Sequence, residues 1–306
     1  MRYLTYTTEN LQRHAELRND GAWIERMLAD PLVLIWPIWN NLPLVSSCQT
    51  HIVSISPQIA RGFIQQGSTY MVAGTLAGAP VLAIDISAVQ FDPENPAEQV
   101  GTDGQFLELR PFTKNLDGDV SAIIAYARSL FVWHKSYRFC GSCGHATWPQ
   151  EHGHSRKCEN VDCNTQHFPR INPAVIMLVT AADQALLGRS PQFPPGLHSV
   201  LAGFVEHGEN LEQAVAREVK EEVGLNVDRV TYVDSQPWPY SNSLMFGFHA
   251  EIDADTPPEL TIDPVEIETA RWWTREELIA KKEEPDFFIP PRDAIARRLL
   301  DIWLDG

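Results

Sequence analysis

The sequence predicts a mixed α/β (α+β) chain in which two domain-sized parts flank a cysteine-rich segment, and three observations predict it. A continuous apolar run at residues 174–180, AVIMLVT, reads as a strand buried on both faces. A glutamate-rich, amphipathic helical pattern follows at residues 211–223. Upstream, four cysteines fall in two close pairs, Cys140-x2-Cys143 and Cys158-x4-Cys163. With 306 residues and 44% hydrophobic content, the chain is long and apolar enough for two cores.

Taken in order, residues 1–135 read as an N-terminal α+β domain with strand-like runs at 32–36, 53–55 and 81–86. The turn-rich stretch 92–104 reads as a loop, and a helix over 122–134 follows Asp119, a candidate cap. Residues 136–168 then form a ribbon. Four thiolates in two close pairs suit a closed tetrahedral zinc site, and Gly141 and Gly144 would let the first knuckle turn. The N-terminus is polar and carries acidic residues, so a secretory route to disulfides has no support and a cytoplasmic location is expected. His145, His152, His154 and His167 lie near enough in sequence to act as substitute ligands, although each reads more simply as a surface or packing residue, and Cys48 reads as a buried thiol. Residues 169–306 form the last domain, with the apolar strand, the glutamate helix, a strand near 244–250 and a closing helix over 292–303.

The helix carries the chemistry. Asn210 and Gln213 form a capping-box variant and Gly224 supplies the stop. At about 100° per residue, Leu211, Val215, Val219 and Val223 make the apolar side, with Glu218, Glu221 and Glu222 along its edge. Carboxylates turned toward protein repel one another unless cations compensate them, and oxygen donors of this kind suit Mg²⁺ or Mn²⁺. A solvated acidic face is the competing interpretation of the helix alone.

The loop and helix together match the Nudix box, G-x5-E-x7-R-E-U-x-E-E-x-G-U with U apolar, at Gly203, Glu209, Arg217, Glu218, Val219, Glu221, Glu222, Gly224 and Leu225. The chain thus resembles the Nudix hydrolases. That resemblance implies an α/β/α sandwich and hydrolysis of a nucleoside diphosphate linked to another moiety. It implies Glu218 and Glu222 as metal ligands, Glu221 as ligand or base, and a Glu209–Arg217 salt bridge that organises the box. Beyond the box, Glu266 aligns with a further acidic ligand and a second candidate base, with Glu268 as the fallback.

Downstream, Ser235-Gln236-Pro237-Trp238-Pro239-Tyr240-Ser241-Asn242-Ser243 resembles the SQPWPFPxS signature of the NADH pyrophosphatase family, with Tyr240 in place of Phe and Ser241 in place of Pro. Two prolines around a tryptophan make a stiff segment that would sit poorly in a central strand. The family resemblance implies metal-dependent cleavage of NAD(H) to NMN(H) and AMP, with removal of NAD caps from RNA among its activities. It implies substrate contacts from Gln236, Pro237, Trp238, Pro239, Tyr240, Ser241, Asn242 and Ser243, stacking by Phe204, and backbone at Ala202 beside metal and at Ala296 beside substrate. Phe168 would come from the second subunit of a homodimer, Arg110 is a weaker contact that needs a one-residue shift in alignment, and the four-cysteine ribbon is a family feature.

Two other functions stay open on sequence: a Nudix hydrolase of ADP-ribose or another nucleoside diphosphate derivative, and a module that binds nucleotide or RNA without cleaving it. The formal charge of −16 opposes bulk attraction to nucleic acid, so any RNA contact would be local. No apolar stretch approaches the roughly 20 residues of a membrane span, so no membrane partner is expected.

Overall fold

The computed structural model describes residues 4–89, 100–101, 103–281 and 284–306. The chain forms two compact units, the first running to Arg170 and the second spanning Ile171–Gly306. Among the described residues no helix is long and apolar enough to cross a membrane.

The first unit is built on a sheet of six strands: β1 (Leu11–Gln12), β2 (Leu34–Trp39), β3 (Leu42–Val45), β4 (Thr69–Leu76), β5 (Ala79–Asp85) and β6 (Gln105–Phe106), in the order β1-β4-β5-β2-β3-β6. Helices α1 (Trp23–Ala29), α2 (Pro57–Gln65), α3 (Leu109–Phe112) and α4 (Gly118–Ser136) accompany it. Two of the three expected strands form, β2 and β5, which pair in parallel. The third, at 53–55, does not: Val53 donates its N–H to Leu44 O while Ile55 donates to Ile35 O. The segment therefore spans two different strands instead of pairing along one. Helix α2 and strand β4 were not among the expected elements, although Ser56 caps α2 by accepting from Ile59 N and Pro57 opens it. The cap of α4 is Asp117, whose carboxylate accepts from Asp119 N at 2.9 Å and Val120 N at 3.4 Å. Asp119 instead receives Asn10 Nδ2 at 2.9 Å. Most of the expected loop at 92–104 lies outside the described residues. Cys48, expected to be buried, is exposed, with Sγ 3.0 Å from Thr50 Oγ1.

Three short antiparallel strands make the ribbon: β7 (Thr147–Gln150), β8 (Ser155–Cys158) and β9 (Gln166–His167). The turn Glu151–Gly153 between β7 and β8 carries three residues at positive φ and presses against β4, where a Cβ on Gly153 would stand 2.3 Å from Tyr70 O. Only glycine lets the two backbones approach this closely. Three histidines clasp the contact. His152 Nε2 donates to Asp20 O, His154 Nε2 to Val72 O and His134 Nε2 to Gly153 O, each at 2.8 Å. The Nδ1 atoms of His152 and His154 lie 3.2 Å from Tyr70 Oη and 3.0 Å from Tyr126 Oη, and that of His134 accepts from Arg156 Nη1 at 3.0 Å. For His134, a carbonyl on one side and the Arg156 guanidinium, which can only donate, on the other fix the ring as the neutral Nε2–H form.

In the second unit, β10 (Asn172–Ala181), β11 (Gln184–Arg189), β12 (Leu201–Phe204), β13 (Arg229–Trp238), β14 (Ser243–Ile252) and β15 (Thr269–Thr274) form a mixed sheet in the order β13-β14-β10-β11-β15, with β12 also paired to β10. The apolar run lies at the centre of this sheet, in β10. Strand alternation sends Val175, Met177 and Val179, with Phe248 and Ala250 of β14, into one core with helix α5 (Leu211–Val223). Gly247 of β14 points to the other face, where its missing side chain leaves room for Ile295 and Leu299 of helix α7 (Ile295–Asp305). The short helix α6 (Arg275–Lys281) follows β15. Helices on opposite faces of one sheet make the expected α/β/α sandwich. The closing helix starts at Ile295 instead of 292, because Ile295 N donates to Gln236 Oε1 at 2.8 Å, a cap supplied from outside the helix.

Candidate active site

Local chemistry positions α5. Asn210 Oδ1 accepts from Gln213 N at 2.8 Å while Asn210 N donates to Gln213 Oε1 at 3.0 Å. At the other end Gly224 takes a left-handed φ of 78°. Burying Ala214, Val215, Val219 and Val223 brings Glu218 and Glu222 inward, to 7% and 5% exposure, and leaves Glu221 outside. Strand β12 explains the first glycine of the box. An ideal Cβ at Gly203 would lie 1.8 Å from Glu218 Cδ, so the carboxylate occupies the space where a side chain would be.

Arg217 binds the parts together. Its Nε and Nη2 form a two-pronged contact with Glu209, at 3.1 and 2.7 Å, and Nη2 also reaches Phe204 O at 2.8 Å. Nη1 donates to Glu218 Oε1 at 2.8 Å and Glu221 Oε2 at 2.9 Å. Such a fork is specific to arginine. Hydrogen bonds from Arg217, and then from Glu206 N, hold the Glu209 carboxyl below the usual carboxylate range.

Glu218, Glu222 and Glu266 offer oxygens that all lie within 4.8 Å of one another. Burial, followed by repulsion from Glu218, Glu266 and Glu221, pushes Glu222 up to about 8. Glu218 is also raised, by burial, against the opposing pull of Arg217. Glu222 Oε2 is buried with no hydrogen-bond partner. An orphaned carboxylate oxygen beside two further carboxylates fits a hard divalent cation. Glu268 lies outside this group and is paired with Arg189.

Beside the trio opens a cavity of about 540 Å³. Ala202, Gly203, Phe204, Glu206, Arg217, Glu218, Glu221 and Glu266 line it, together with Ala174, Trp238, Ser241, Ser243 and Met245. The structure thus brings ten expected site residues to one space: Ala202, Gly203, Phe204, Arg217, Glu218, Glu221, Glu266, Trp238, Ser241 and Ser243. Gln236, Pro237, Pro239, Tyr240, Asn242 and Ala296 are not among the lining residues. Gln236 is fully buried, its amide spent on Asp293 O and Ile295 N. Pro237 falls on β13, the sheet's edge strand, where a missing N–H is tolerated. Tyr240 meets Trp238 edge to face at 5.2 Å, and Asn242 turns the chain at a φ of 54°. Ala296 is buried in α7. Phe168 and Arg110 belong to the first unit and are exposed. Glu206, Ala174 and Met245 were not anticipated: the first occupies a variable box position and the others read as ordinary strand residues.

In the ribbon, the sulfurs of Cys140, Cys143, Cys158 and Cys163 all lie within 4.8 Å of one another and could hold a metal ion. The Cys140–Cys163 separation is 3.8 Å and the Cys143–Cys158 separation 3.4 Å, far beyond a disulfide bond. Gly144 turns the first knuckle at a φ of 76°, whereas Gly141 needs no such freedom. Asn164, directly after Cys163, takes a φ of 51°. His167 Nε2 sits 3.3 Å from Cys140 Sγ, His145 Nδ1 faces Cys143 O, and His152 and His154 are committed to the clasp.

Residues 170–294 match the NUDIX domain. The chain is 42% identical over 214 residues to the NAD-capped RNA hydrolase NudC of Stutzerimonas stutzeri (strain A1501), covering 70% of this chain and 72% of that protein. It is 38% identical over 231 residues to the NAD-capped RNA hydrolase NudC of Pseudomonas aeruginosa (strain LESB58), covering 76% and 75%. With the NAD-capped RNA hydrolase NUDT12 of Homo sapiens it shares 45% identity over 195 residues, which are 60% of this chain and only 42% of that longer protein.

Proposed function

The chain belongs to the NADH pyrophosphatase family of Nudix hydrolases, and on that premise we propose that it hydrolyses the pyrophosphate of NAD(H) to NMN(H) and AMP and removes NAD caps from RNA. The observation that carries this is the carboxylate trio with its unpartnered Glu222 oxygen, set beside a cavity walled by Phe204 and Trp238.

Glu218, Glu222 and Glu266 would hold Mg²⁺ or Mn²⁺, which supplies charge neutralisation at the diphosphate and acidifies a water. Arg217 keeps Glu218 and Glu221 aimed, through bonds of 2.8 and 2.9 Å. Glu221 and Glu266, exposed and lining the cavity, are placed to take the proton of the attacking water. Phe204 and Trp238 offer ring faces for stacking, and the backbone at Ala202 borders both metal and substrate.

The ribbon would hold structural Zn²⁺. A tetrahedral site with Zn–S near 2.3 Å places its sulfurs about 3.8 Å apart, and the 3.4 and 3.8 Å separations support that assignment. Exposed Phe168 is the proposed contribution of a second subunit to a homodimer, in the cytoplasm.

The test is product analysis with NADH, NAD⁺ and ADP-ribose, each with Mg²⁺ or Mn²⁺ and with chelator. NMN(H) plus AMP formed only with metal, and faster than ADP-ribose is cleaved, is the expected result. Cleavage of ADP-ribose alone would remove the dinucleotide assignment, and no cleavage at all would favour a binding module.

A further inference from the structure

The cavity is chemically divided. Its charged lining residues, Glu206, Arg217, Glu218, Glu221 and Glu266, come from the box and the Glu266 loop, while the β13–β14 side contributes no charge. On that uncharged side two hydroxyls, Ser241 and Ser243, adjoin Trp238 and are the only hydroxyl groups among the described lining residues. Ser241 stands where the family signature usually has proline, so its hydroxyl is a property of this chain.

The pair is rigidly placed. Ser243 lies across from Trp238 in the β13–β14 register and across from Asn172 in the β10–β14 register. Asn172 clamps the turn, donating its N–H to Asn242 O at 3.0 Å and Nδ2 to Ser241 O at 3.4 Å. The two Oγ atoms are 2.9 Å apart, and Ser243 Oγ also lies 3.3 Å from Ser241 O. Ser243 is 4% exposed, so its capacity is spent inside the pair. Ser241 is exposed. If Ser243 donates to Ser241 Oγ, the Ser241 proton is left for a ligand. If Ser241 donates to Ser243, the Ser243 proton goes to Ser241 O and the lone pairs of Ser241 Oγ remain. Either way one fixed hydroxyl beside an aromatic face can meet a ligand as donor or acceptor.

We propose that Ser241 is a specificity-determining residue that hydrogen-bonds the polar edge of the heteroaromatic ring stacked on Trp238. This rests on the dinucleotide function proposed above. A pre-positioned hydroxyl costs little ordering on binding, so its contribution falls on ligand affinity.

The experiment compares wild type, Ser241→Ala and Ser241→Thr with NADH as substrate, with a thermal melt of each. One neutral hydrogen bond corresponds to a KM rise of about threefold to tenfold for Ser241→Ala, with kcat within about twofold, and Ser241→Thr should restore KM because it keeps the hydroxyl. An unchanged KM in Ser241→Ala overturns the assignment. So does a loss confined to kcat, or a threonine variant that behaves like alanine, which would make shape the determinant. Failure of the wild type itself to cleave NADH would overturn the proposed function and this inference with it, whereas turnover by wild type with unaffected variants removes this inference alone.

Discussion

Replacing Gly203 by alanine adds one methyl group at the point where the box strand meets the box helix. The ideal Cβ would stand 1.8 Å from Glu218 Cδ and 2.0 Å from Oε1. Non-bonded carbons rest at about 3.5–4.0 Å, so the carboxylate has to retreat by roughly 1.7 Å or more. That retreat breaks its 2.8 Å bond to Arg217 and takes one member out of the trio that now fits within 4.8 Å. Metal sites tolerate ligand shifts of only about 0.2 Å, and a displacement near 1 Å can cost about 100-fold in rate. We therefore expect Gly203→Ala to lower kcat with NADH at least about 100-fold and to weaken Mn²⁺ binding measured by calorimetry. The melting temperature should hold within a few degrees, because what moves is the end of one side chain. Turnover within threefold of wild type, with undiminished Mn²⁺ affinity, would refute the packing argument.

Glu222→Gln should abolish most turnover with ribbon metal content unchanged, and should raise the melting temperature of metal-free protein, because the folded site holds that carboxyl near 8, above its unfolded value of 4.5, and so opposes folding more strongly as pH rises from 4.5 to about 8. For the same reason Mn²⁺ affinity of the wild type should increase as pH is raised through about 8, and a flat titration would contradict the buried-carboxylate account. His134 and His154 run the opposite way as bases: burial holds both near 4, below the unfolded value of 6.5. Their stabilisation is complete above pH 6.5 and lost as pH falls toward 4, with roughly 2 kcal/mol forfeited per histidine by pH 5. Calorimetry between pH 7.5 and 5 should show the melt of the first unit falling, and constancy over that range would dispose of the clasp. Cys143→Ser should lose ribbon metal and lower stability before it affects chemistry; metal analysis together with a melt decides it.

The box was legible because its signals are local. Asn210, Gln213 and Gly224 set the ends of α5 through hydrogen bonds and a backbone angle confined to neighbouring residues. The central strand was equally plain, since β10 is buried over most of its length and its composition says so. Val53 and Ile55 show where such inference stops: both are buried, as β-branched residues should be, yet their amides serve two different strands, which only tertiary placement decides. Gln236 is similar. Its position inside a substrate signature pointed to ligand, while the fold uses its amide to start α7. Glu266 reached the trio from a distant loop, and no spacing rule within the sequence distinguishes it from Glu268.

The histidine clasp has a consequence for how this chain can be cut or recombined. The β7–β8 turn is joined to main-chain carbonyls at Val72 of β4 and at Asp20, just before α1, acceptors that every amino acid supplies. The carbonyl acceptors tolerate changes of sequence, whereas Tyr70 and Tyr126, whose hydroxyls meet His152 and His154, and the ribbon's own histidines and Gly153 do not. A chimera that transplanted only the ribbon would strand the two imidazoles of His152 and His154, whereas a junction after Arg170 severs none of these bonds. The ribbon and the sheet that receives it are, in hereditary terms, a single piece.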